Sequence, residues 1–520
     1  MTSSEMKKYF KKQQMKSFFA IVKDYKRYYL GSLLWLNAFK ILNNKAKMQK
    51  WQQKHKERYE NLQLAIKKYK WTKNAILQSK IWLNSKEFKE KYLDTKHPYP
   101  PLLNPDSVDY EIIPAELAWE WNLPLPPNYE FMYFSNGSTA SWATFEFFKN
   151  CSVNCATNND DIFNPKSSFL YHYNFLASKS KQKQIFFSYF GSIMQYEYAE
   201  HLVASLTKKC PLFYVARCPI GRLKHLINHQ DSDYVWAQRI PQINLTFDYT
   251  KLFPNLRYWS GDSIPSFPIL NDYSIVFEKL MLDSALDKFD DKISSIYCVE
   301  FSDLKADKAF DTFCKLADML GFDKPTNKEI FTNRINRNRG TLTTLPTTLY
   351  AHADDLLKSF KIGQKEKRDL TSLEQKGGFS IIVTLPHYLS EEQKDFVDIS
   401  EEIYPNPIID DTKILIIIDK KELSRLKENV ELFNVTKIYL KGYIDACIDN
   451  VNKVKANLIN EEQILEYLKT NKEVRIKIKK ILDNELNYIK EHYPDFIGKW
   501  KYYLEFEKMC AELDGEKDEK

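Results

Sequence analysis

The sequence predicts a mixed α/β protein with a parallel β-sheet and covering helices at its centre. From about residue 127, short apolar runs alternate with amphipathic segments, as in strands joined by helical crossovers. Prolines are concentrated just before that point, and the chain has 520 residues, more than one hydrophobic core usually serves. We therefore predict a basic helical arm (1–96), a proline-rich linker (97–126), an α/β core (127–345) and a C-terminal α/β and helical extension (346–520).

The predicted arm concentrates the positive charge. Residues 1–96 carry 24 Lys and Arg against 7 Asp and Glu, whereas the rest of the chain carries 52 against 62. Apolar residues recur near helical spacing among these lysines, which is typical of a solvated helical hairpin packed on the core. The mixture of aromatics and lysines also fits a peripheral contact with an anionic inner-membrane surface or an assembly complex. No nucleic-acid-binding motif accompanies the charge, so we expect no nucleic-acid partner.

The cysteines and the hydropathy pattern indicate in which cellular compartment the protein is located. The eight cysteines have neither zinc-ligand spacing nor the density of a disulfide scaffold, so we expect no metal site and a reducing environment. No run reaches the roughly 20 apolar residues needed to span a bilayer. We therefore predict a cytoplasmic protein, in peripheral contact with the membrane where the arm docks.

The alternation of elements is clearest between residues 127 and 340. Apolar runs that predict strands, each followed by a helical stretch, occupy 129–134, 184–190, 212–216 and 296–301. Beyond residue 340 the pattern loosens, with strands predicted at 379–385 and 413–418 and amphipathic helices over 460–512.

A small, hydroxyl-rich turn follows the first predicted strand. It consists of Ser135, Asn136, Gly137, Ser138 and Thr139, and a predicted helix begins after it. The N–H groups at a helix start are unsatisfied and carry positive potential, so they suit a phosphate. The same residues would also serve as an ordinary helix N-cap.

The third predicted strand leads directly into a basic helix start. Arg217 follows the strand, and Arg222 and Lys224 come soon after. An arginine at this edge can bind a phosphate in bidentate fashion, although a surface arginine near a helix terminus would give the same pattern.

Further segments of interest begin with the fourth predicted strand. The run from Ile296 to Asp307 and the helix that ends at Gly321 would, alone, indicate only packing. A basic stretch at 333–340 contains Arg337 and Arg339.

Taken together, these motifs resemble the sulfotransferase superfamily over residues 127–340. In that superfamily a Gly-Ser/Thr turn cradles the 5′ phosphates of the donor, and an Arg-x-Pro-x-x-Arg helix start binds its 3′ phosphate. Ser135–Thr139, Arg217–Arg222 and Glu300–Gly321 match in order, and 333–340 corresponds to a second nucleotide-binding loop. The resemblance implies a sulfotransferase-like fold, a 3′-phosphonucleotide donor as co-substrate and no tightly bound cofactor.

The chain departs from the superfamily at three points. Ser135 occupies a position where Lys or Arg is usual, and His225 one where serine is usual. In addition, no histidine or glutamate follows the 184–190 strand, where the catalytic base often lies.

A second resemblance accommodates these departures. The segments 97–105, 113–120 and 222–229 look like a bacterial family of capsular sugar transferases that includes O-methyl phosphoramidate transferases. This resemblance implies transfer of a phosphoramidate or sulfuryl-like group from a 3′-phosphorylated cytidine donor to a sugar hydroxyl of a capsular or surface polysaccharide. A base for that reaction would come from a set of five side chains: His172, His225 and His229 in the first place, then His201 and Glu197.

Two other functions stay open at this stage. Asp231-Ser232-Asp233 fits the Asp-x-Asp pattern with which many nucleotide-sugar glycosyltransferases bind a metal, although so short a match is common by chance. A non-catalytic module for polysaccharide assembly would explain the arm and the C-terminal region without any base.

Overall fold

The computed structural model describes residues 79–514, apart from residues 80, 156–163, 179, 181, 190–195, 333–341, 343, 357–377, 390 and 410–411. The predicted helices of the basic arm fall almost entirely outside the described residues. Within that part of the chain, no helix is both long and apolar enough to cross a membrane.

The described residues form strands in two five-stranded sheets and one short hairpin. In chain order the strands are β1 (Phe131–Ser135), β2 (Val153–Cys155), β3 (Lys183–Tyr189), β4 (Cys210–Ala216), β5 (Gln242–Asn244), β6 (Ile293–Glu300), β7 (Thr347–Ala351), β8 (Phe379–Thr384), β9 (Phe396–Asp398), β10 (Ile408–Ile409), β11 (Thr412–Lys413) and β12 (Leu415–Asp419).

The helices cover the sheets and fill the C-terminal region. They are α1 (Lys86–Phe88), α2 (Ala115–Glu120), α3 (Ser141–Asn150), α4 (Pro165–Ala177), α5 (Ala199–Ser205), α6 (Pro219–Ile227), α7 (Ser232–Ala237), α8 (Tyr273–Leu280), α9 (Asp283–Phe289), α10 (Ala309–Leu320), α11 (Glu329–Thr332), α12 (Ser400–Ile403), α13 (Lys420–Glu428), α14 (Val430–Ala456), α15 (Glu461–Thr470), α16 (Lys472–Glu485), α17 (Asn487–His492), α18 (Pro494–Lys499) and α19 (Lys501–Asp514).

The first sheet has the order β2-β3-β1-β4-β6, and all its strand pairs are parallel. Its strands are apolar on both faces, since Met132 and Phe134 of β1 pack in one core and Phe131 and Tyr133 in another. This pattern is expected of a parallel sheet covered by helices on both sides. The mixed α/β class with a central parallel sheet is therefore confirmed.

The second sheet has the order β5-β7-β8-β12-β9, with β5 and β7 parallel and the other pairs antiparallel. The long helix α14 packs on it, and Tyr443 donates its hydroxyl to Thr344 or Thr347, at 3.0 and 3.1 Å. Gly442 lies where α14 passes Tyr249, and a Cβ there would clash with the tyrosine side chain unless that side chain moved.

The two sheets do not divide the chain at the boundary predicted at residue 345. Strand β5 comes from the predicted core but belongs to the second sheet, whereas helices α15, α16 and α19 pack against the first sheet. Trp500 donates its indole N–H to the buried carboxylate of Glu300, at the end of β6, at 3.0 Å. The C-terminal helices therefore support the carboxyl edge of the parallel sheet.

Candidate functional site

The carboxyl ends of β1, β4 and β6 meet at one edge of the parallel sheet. The residues that follow these strands are the turn 136–140, Arg217 and Phe301. Open α/β sheets bind ligands at this edge, which makes it the first place to look for a functional site.

The turn after β1 is closed by hydroxyl groups. Ser135 is fully buried, and its Oγ lies 2.9 Å from Thr139 Oγ1 and 2.6 Å from Ser141 Oγ. Gly137, Ser138 and Ala140 have φ values of 48°, 65° and 60°. Positive φ is unfavourable for a residue with a Cβ and occurs mostly where surrounding contacts impose it, often at a binding site.

The turn does not act as the ordinary helix cap that was the alternative interpretation. Ala140 occupies the N-cap position of α3 and provides no side-chain hydrogen bond to the first turn. The hydroxyl of Ser138 points elsewhere, since its Oγ lies 2.9 Å from Nδ1 of His225. No side chain therefore caps the first N–H groups of α3 at this position.

Arg217 is fixed between the turn and the end of β6. Its Nη1 donates to the carbonyl oxygen of Ser138, and its guanidinium lies 4.0 Å from the ring centroid of Phe301. Gly221 leaves room on another side, since a Cβ there would lie 3.6 Å from Arg217 Nε. Burial and the positive charge of Arg222 lower the pKa of Arg217 to about 10.

Arg222 is a buried cation without a counter-ion. Only 2% of its surface is exposed, and its Nε and Nη2 have no hydrogen-bond partner in the described structure. Burial lowers its pKa, while contact with the hydroxyl of Tyr214 opposes this shift. Among the residues described, no carboxylate forms an ion pair with it. Burying a guanidinium without a counter-ion costs free energy of folding. An anionic partner would therefore stabilise this arrangement.

Two histidines line the edge beside the turn. His225 is exposed, and its ring centroid lies 5.1 Å from that of His229, which in turn lies 4.2 Å from the ring centroid of Trp259. Desolvation, followed by the charges of His229, Arg217 and Lys279, lowers the pKa of His225 below its ordinary value. Desolvation and Lys279 lower the pKa of His229 to about 4. Both rings are therefore neutral at pH 7, the state in which an imidazole accepts a proton.

Sequence analysis missed Lys279 on α8. Its exposed fraction is only 9%, and its Nζ lies 3.0 Å from Glu278 Oε1 and 4.8 Å from the ring centroid of Trp259. A Cβ on Gly137 would lie 3.6 Å from the same Nζ. No local motif marks this lysine, because it reaches the turn only through the packing of α8.

The other proposed bases lie in different surroundings. His172 is fully buried, with its Nδ1 2.7 Å from the carbonyl oxygen of Ser168, and burial lowers its pKa to about 4. His201 lies between the rings of Tyr99 and Trp119, at 4.3 and 3.8 Å.

Three other predicted site residues are not part of this group: one lies elsewhere on the surface, and two are outside the described residues. Glu197 is exposed in the turn before α5. Arg337 and Arg339 lie outside the described residues. The structure thus brings the turn together with Arg217, Arg222, His225 and His229. His172 and Glu197 are not part of this group.

The Asp-x-Asp sequence is engaged in local structure. Asp231 caps α7 by accepting the N–H of Tyr234 at 3.0 Å, and it also accepts from Arg257 Nε at 2.9 Å. The backbone and Arg257 bonds hold its pKa below the ordinary value. In the part of the chain that is described, no group of three or more His, Cys, Asp and Glu side chains is arranged to hold a metal.

One family model matches the chain. Residues 298–513 match the model of a family described as "Protein of unknown function (DUF2972)", which is less than half of the chain. The match runs from the end of β6 to the end of α19 and so excludes β1, β4 and the turn between β1 and α3. No curated protein shows a significant match to the chain.

Proposed function

We propose that this protein is a transferase that moves a phosphoramidate or sulfuryl-like group from a 3′-phosphorylated nucleotide to a hydroxyl of a surface polysaccharide. The observation that carries the proposal is Arg222, a buried guanidinium that pairs with no carboxylate among the described residues, beside Arg217 at the carboxyl edge of a parallel sheet. A bound phosphate would supply the missing negative charge.

The electrostatics favour a phosphate over a neutral ligand. Burial, followed by the positive charge of Arg222, lowers the pKa of Arg217, so both disfavour its charged state. A phosphate between or beside them would offset this repulsion and accept charge-assisted hydrogen bonds from Nε and Nη2 of Arg222. The uncapped start of α3 and the hydroxyl of Ser138 would hold a second phosphate at the turn.

The transfer itself needs few groups. The acceptor hydroxyl oxygen forms a bond to the phosphorus or sulfur of the transferred group, and the bond from that atom to the bridging oxygen of the donor breaks. The nucleoside 3′,5′-bisphosphate departs, and the hydroxyl proton passes to a base. His225 or His229 is the candidate for this role, because both rings lie beside the turn, and a bound phosphate would raise their lowered pKa values and so strengthen them as bases. His172 is less suited to it, because its side chain is fully buried in the core.

The glycosyltransferase alternative has less support. A metal-binding Asp-x-Asp sequence needs free carboxylates, whereas Asp231 already caps a helix and pairs with Arg257. The non-catalytic module is an outcome of the experiment that follows.

Calorimetric titration with cytidine and adenosine 3′,5′-bisphosphate tests the proposal, with the 5′-monophosphates and a nucleotide sugar for comparison, each with and without manganese. We expect metal-free binding of a bisphosphate that weakens about ten-fold or more in Arg217→Ala. Arg257→Ala, at an exposed arginine paired with Asp231, is the matched control and should bind normally. Binding of the nucleotide sugar alone, dependent on manganese, would favour the glycosyltransferase, and binding of none would leave the module.

A further inference from the structure

We infer that Lys279 is a donor-binding residue that contacts a second anionic group at Gly137, separate from the group held by Arg217 and Arg222. The inference rests on the proposed function, because it takes the ligand to be a phosphorylated nucleotide. It assigns to α8 a cation that the sequence motif of the turn lacks.

The ammonium group of Lys279 lies beside the turn. A Cβ built on Gly137 would lie 3.6 Å from its Nζ and 3.9 Å from Cδ of the same side chain. Gly137 is in the left-handed region, with a φ of 48°, and its missing side chain keeps the space beside the ammonium open. A ligand oxygen at the turn would therefore meet the lysine.

Two contacts hold the side chain of Lys279 in this position. Its Nζ lies 3.0 Å from Glu278 Oε1 and 4.8 Å from the ring centroid of Trp259. Trp259 is itself fixed, because its backbone N–H donates to the carbonyl oxygen of His229 at 3.0 Å. A preorganised cation loses less conformational entropy on binding than a mobile surface lysine does.

A purely structural role explains the position less well. A lysine that only filled space on α8 would extend its ammonium toward water, as long cationic side chains do. Here the whole residue is 9% exposed, and its charge acts on His225 and His229, which line the same edge. The ammonium thus belongs to the electrostatic environment of the turn.

Two cationic centres at separate points of one turn imply a ligand with two anionic groups. Arg217 contacts the turn at the Ser138 carbonyl, with Arg222 close by, and Lys279 lies beside the turn at Gly137. A nucleoside with phosphates at both the 3′ and 5′ positions can satisfy both centres, whereas a monophosphate satisfies one. Lys279 would accordingly select for the 5′ phosphate and the arginines for the 3′ phosphate.

The test compares Lys279→Met with the wild-type protein in titrations against cytidine 3′,5′-bisphosphate and cytidine 3′-monophosphate. We expect the variant to bind the bisphosphate about ten-fold or more weakly and to bind the 3′-monophosphate within about two-fold of wild type. Lys279→Arg keeps the charge and should recover most of the affinity. Lys288→Met, at an exposed lysine of α9, removes the same net charge and should bind both ligands normally.

The outcomes separate this inference from the function on which it rests. If the wild type binds neither nucleotide, the proposed function fails. If it binds the bisphosphate through Arg217 but Lys279→Met binds both ligands as wild type does, or loses both equally, the assignment of Lys279 is wrong. Thermal unfolding checks that the variant folds, and if Lys279→Met does not fold, the pair Lys279→Arg and Lys279→Gln provides the same comparison of charge.

Discussion

Ser138 and His225 form a side-chain hydrogen bond, with 2.9 Å between the hydroxyl oxygen and Nδ1. The bond joins the turn after β1 to helix α6, which β4 leads into. Nδ1 of the imidazole takes part in this hydrogen bond, and the second ring nitrogen, Nε2, does not. The protonation state of His225 therefore depends on a contact between the segments that follow β1 and β4.

Phosphate binding should become tighter as the pH falls from about 7 to 5. Desolvation and neighbouring cations lower the pKa values of His225 and His229 in the free protein. A bound anion offsets those cations and raises both pKa values, so the complex takes up protons and its affinity increases at lower pH. Titration calorimetry in buffers of different ionisation enthalpy measures the uptake, and His225→Gln with His229→Gln should reduce it. An unchanged uptake in the double variant would trace the protons to the ligand.

The free energy of unfolding should depend on His201 below pH 6.5. Burial between aromatic rings lowers the pKa of His201 to about 3. The unfolded chain, with an ordinary value near 6.5, binds the proton first, so this histidine costs stability increasingly as the pH falls from about 6.5 toward 3. Urea unfolding at pH 7.5, 6 and 5 measures the free energy of unfolding, which should fall less with decreasing pH in His201→Phe than in the wild type. Parallel losses would mean that His201 does not titrate in this way.

The strands of the parallel sheet were predictable, because buried apolar runs that end in turn residues determine them locally. The predicted 129–134 and 212–216 correspond to β1 and β4, and the turn and Arg217 follow from the same pattern. Strand β2 was missed, since Val153–Cys155 is too short to show a period.

The rest of the site depends on contacts that no local pattern encodes. Lys279 reaches Gly137 across more than a hundred residues of chain, and Trp500 reaches Glu300 in the same way. The unpaired state of Arg222 is likewise visible only after the surrounding carboxylates have been located.

The arm should matter for membrane association but not for donor binding. Its strong positive charge attracts an anionic surface, and such contacts weaken as salt rises. The cut belongs after residue 78, because Trp82 and Phe88 are buried in the described structure. Cosedimentation with phosphatidylglycerol vesicles at low and high salt compares the full chain with residues 79–520. If both bind vesicles equally, the arm has no docking role.

Arg217 should show energetic coupling to the 3′ phosphate of the donor. Arg217→Ala loses a charge-assisted contact worth roughly 1.5–3 kcal/mol, or about ten- to a hundred-fold in affinity. Arg217→Lys restores the charge but not the forked geometry, so its defect should be intermediate. The loss should shrink when the nucleotide lacks its 3′ phosphate, and titrations of both proteins with both nucleotides complete the double-mutant cycle. Purely additive changes would separate Arg217 from that phosphate.

Arg222 should be costly to the free protein and necessary for the bound one. Because its buried guanidinium has no counter-ion in the part of the chain that is described, Arg222→Met removes a desolvation cost and should raise the free energy of unfolding without ligand, by about 1 kcal/mol or more. The same variant should lose most of its affinity for a nucleoside bisphosphate, and the ligand should no longer raise its thermal midpoint.

The matched control for this prediction is Arg475→Met. Arg475 is also buried, but it pairs with Asp514 through Nε at 2.7 Å and Nη2 at 2.9 Å. Its replacement leaves an unpaired carboxylate, so the thermal midpoint should fall while nucleotide binding stays normal. Thermal unfolding of both variants, with and without cytidine 3′,5′-bisphosphate, separates the two cases. If Arg222→Met is destabilised as Arg475→Met is, Arg222 contributes to the stability of the free fold, and the argument for a missing anion at this site is wrong.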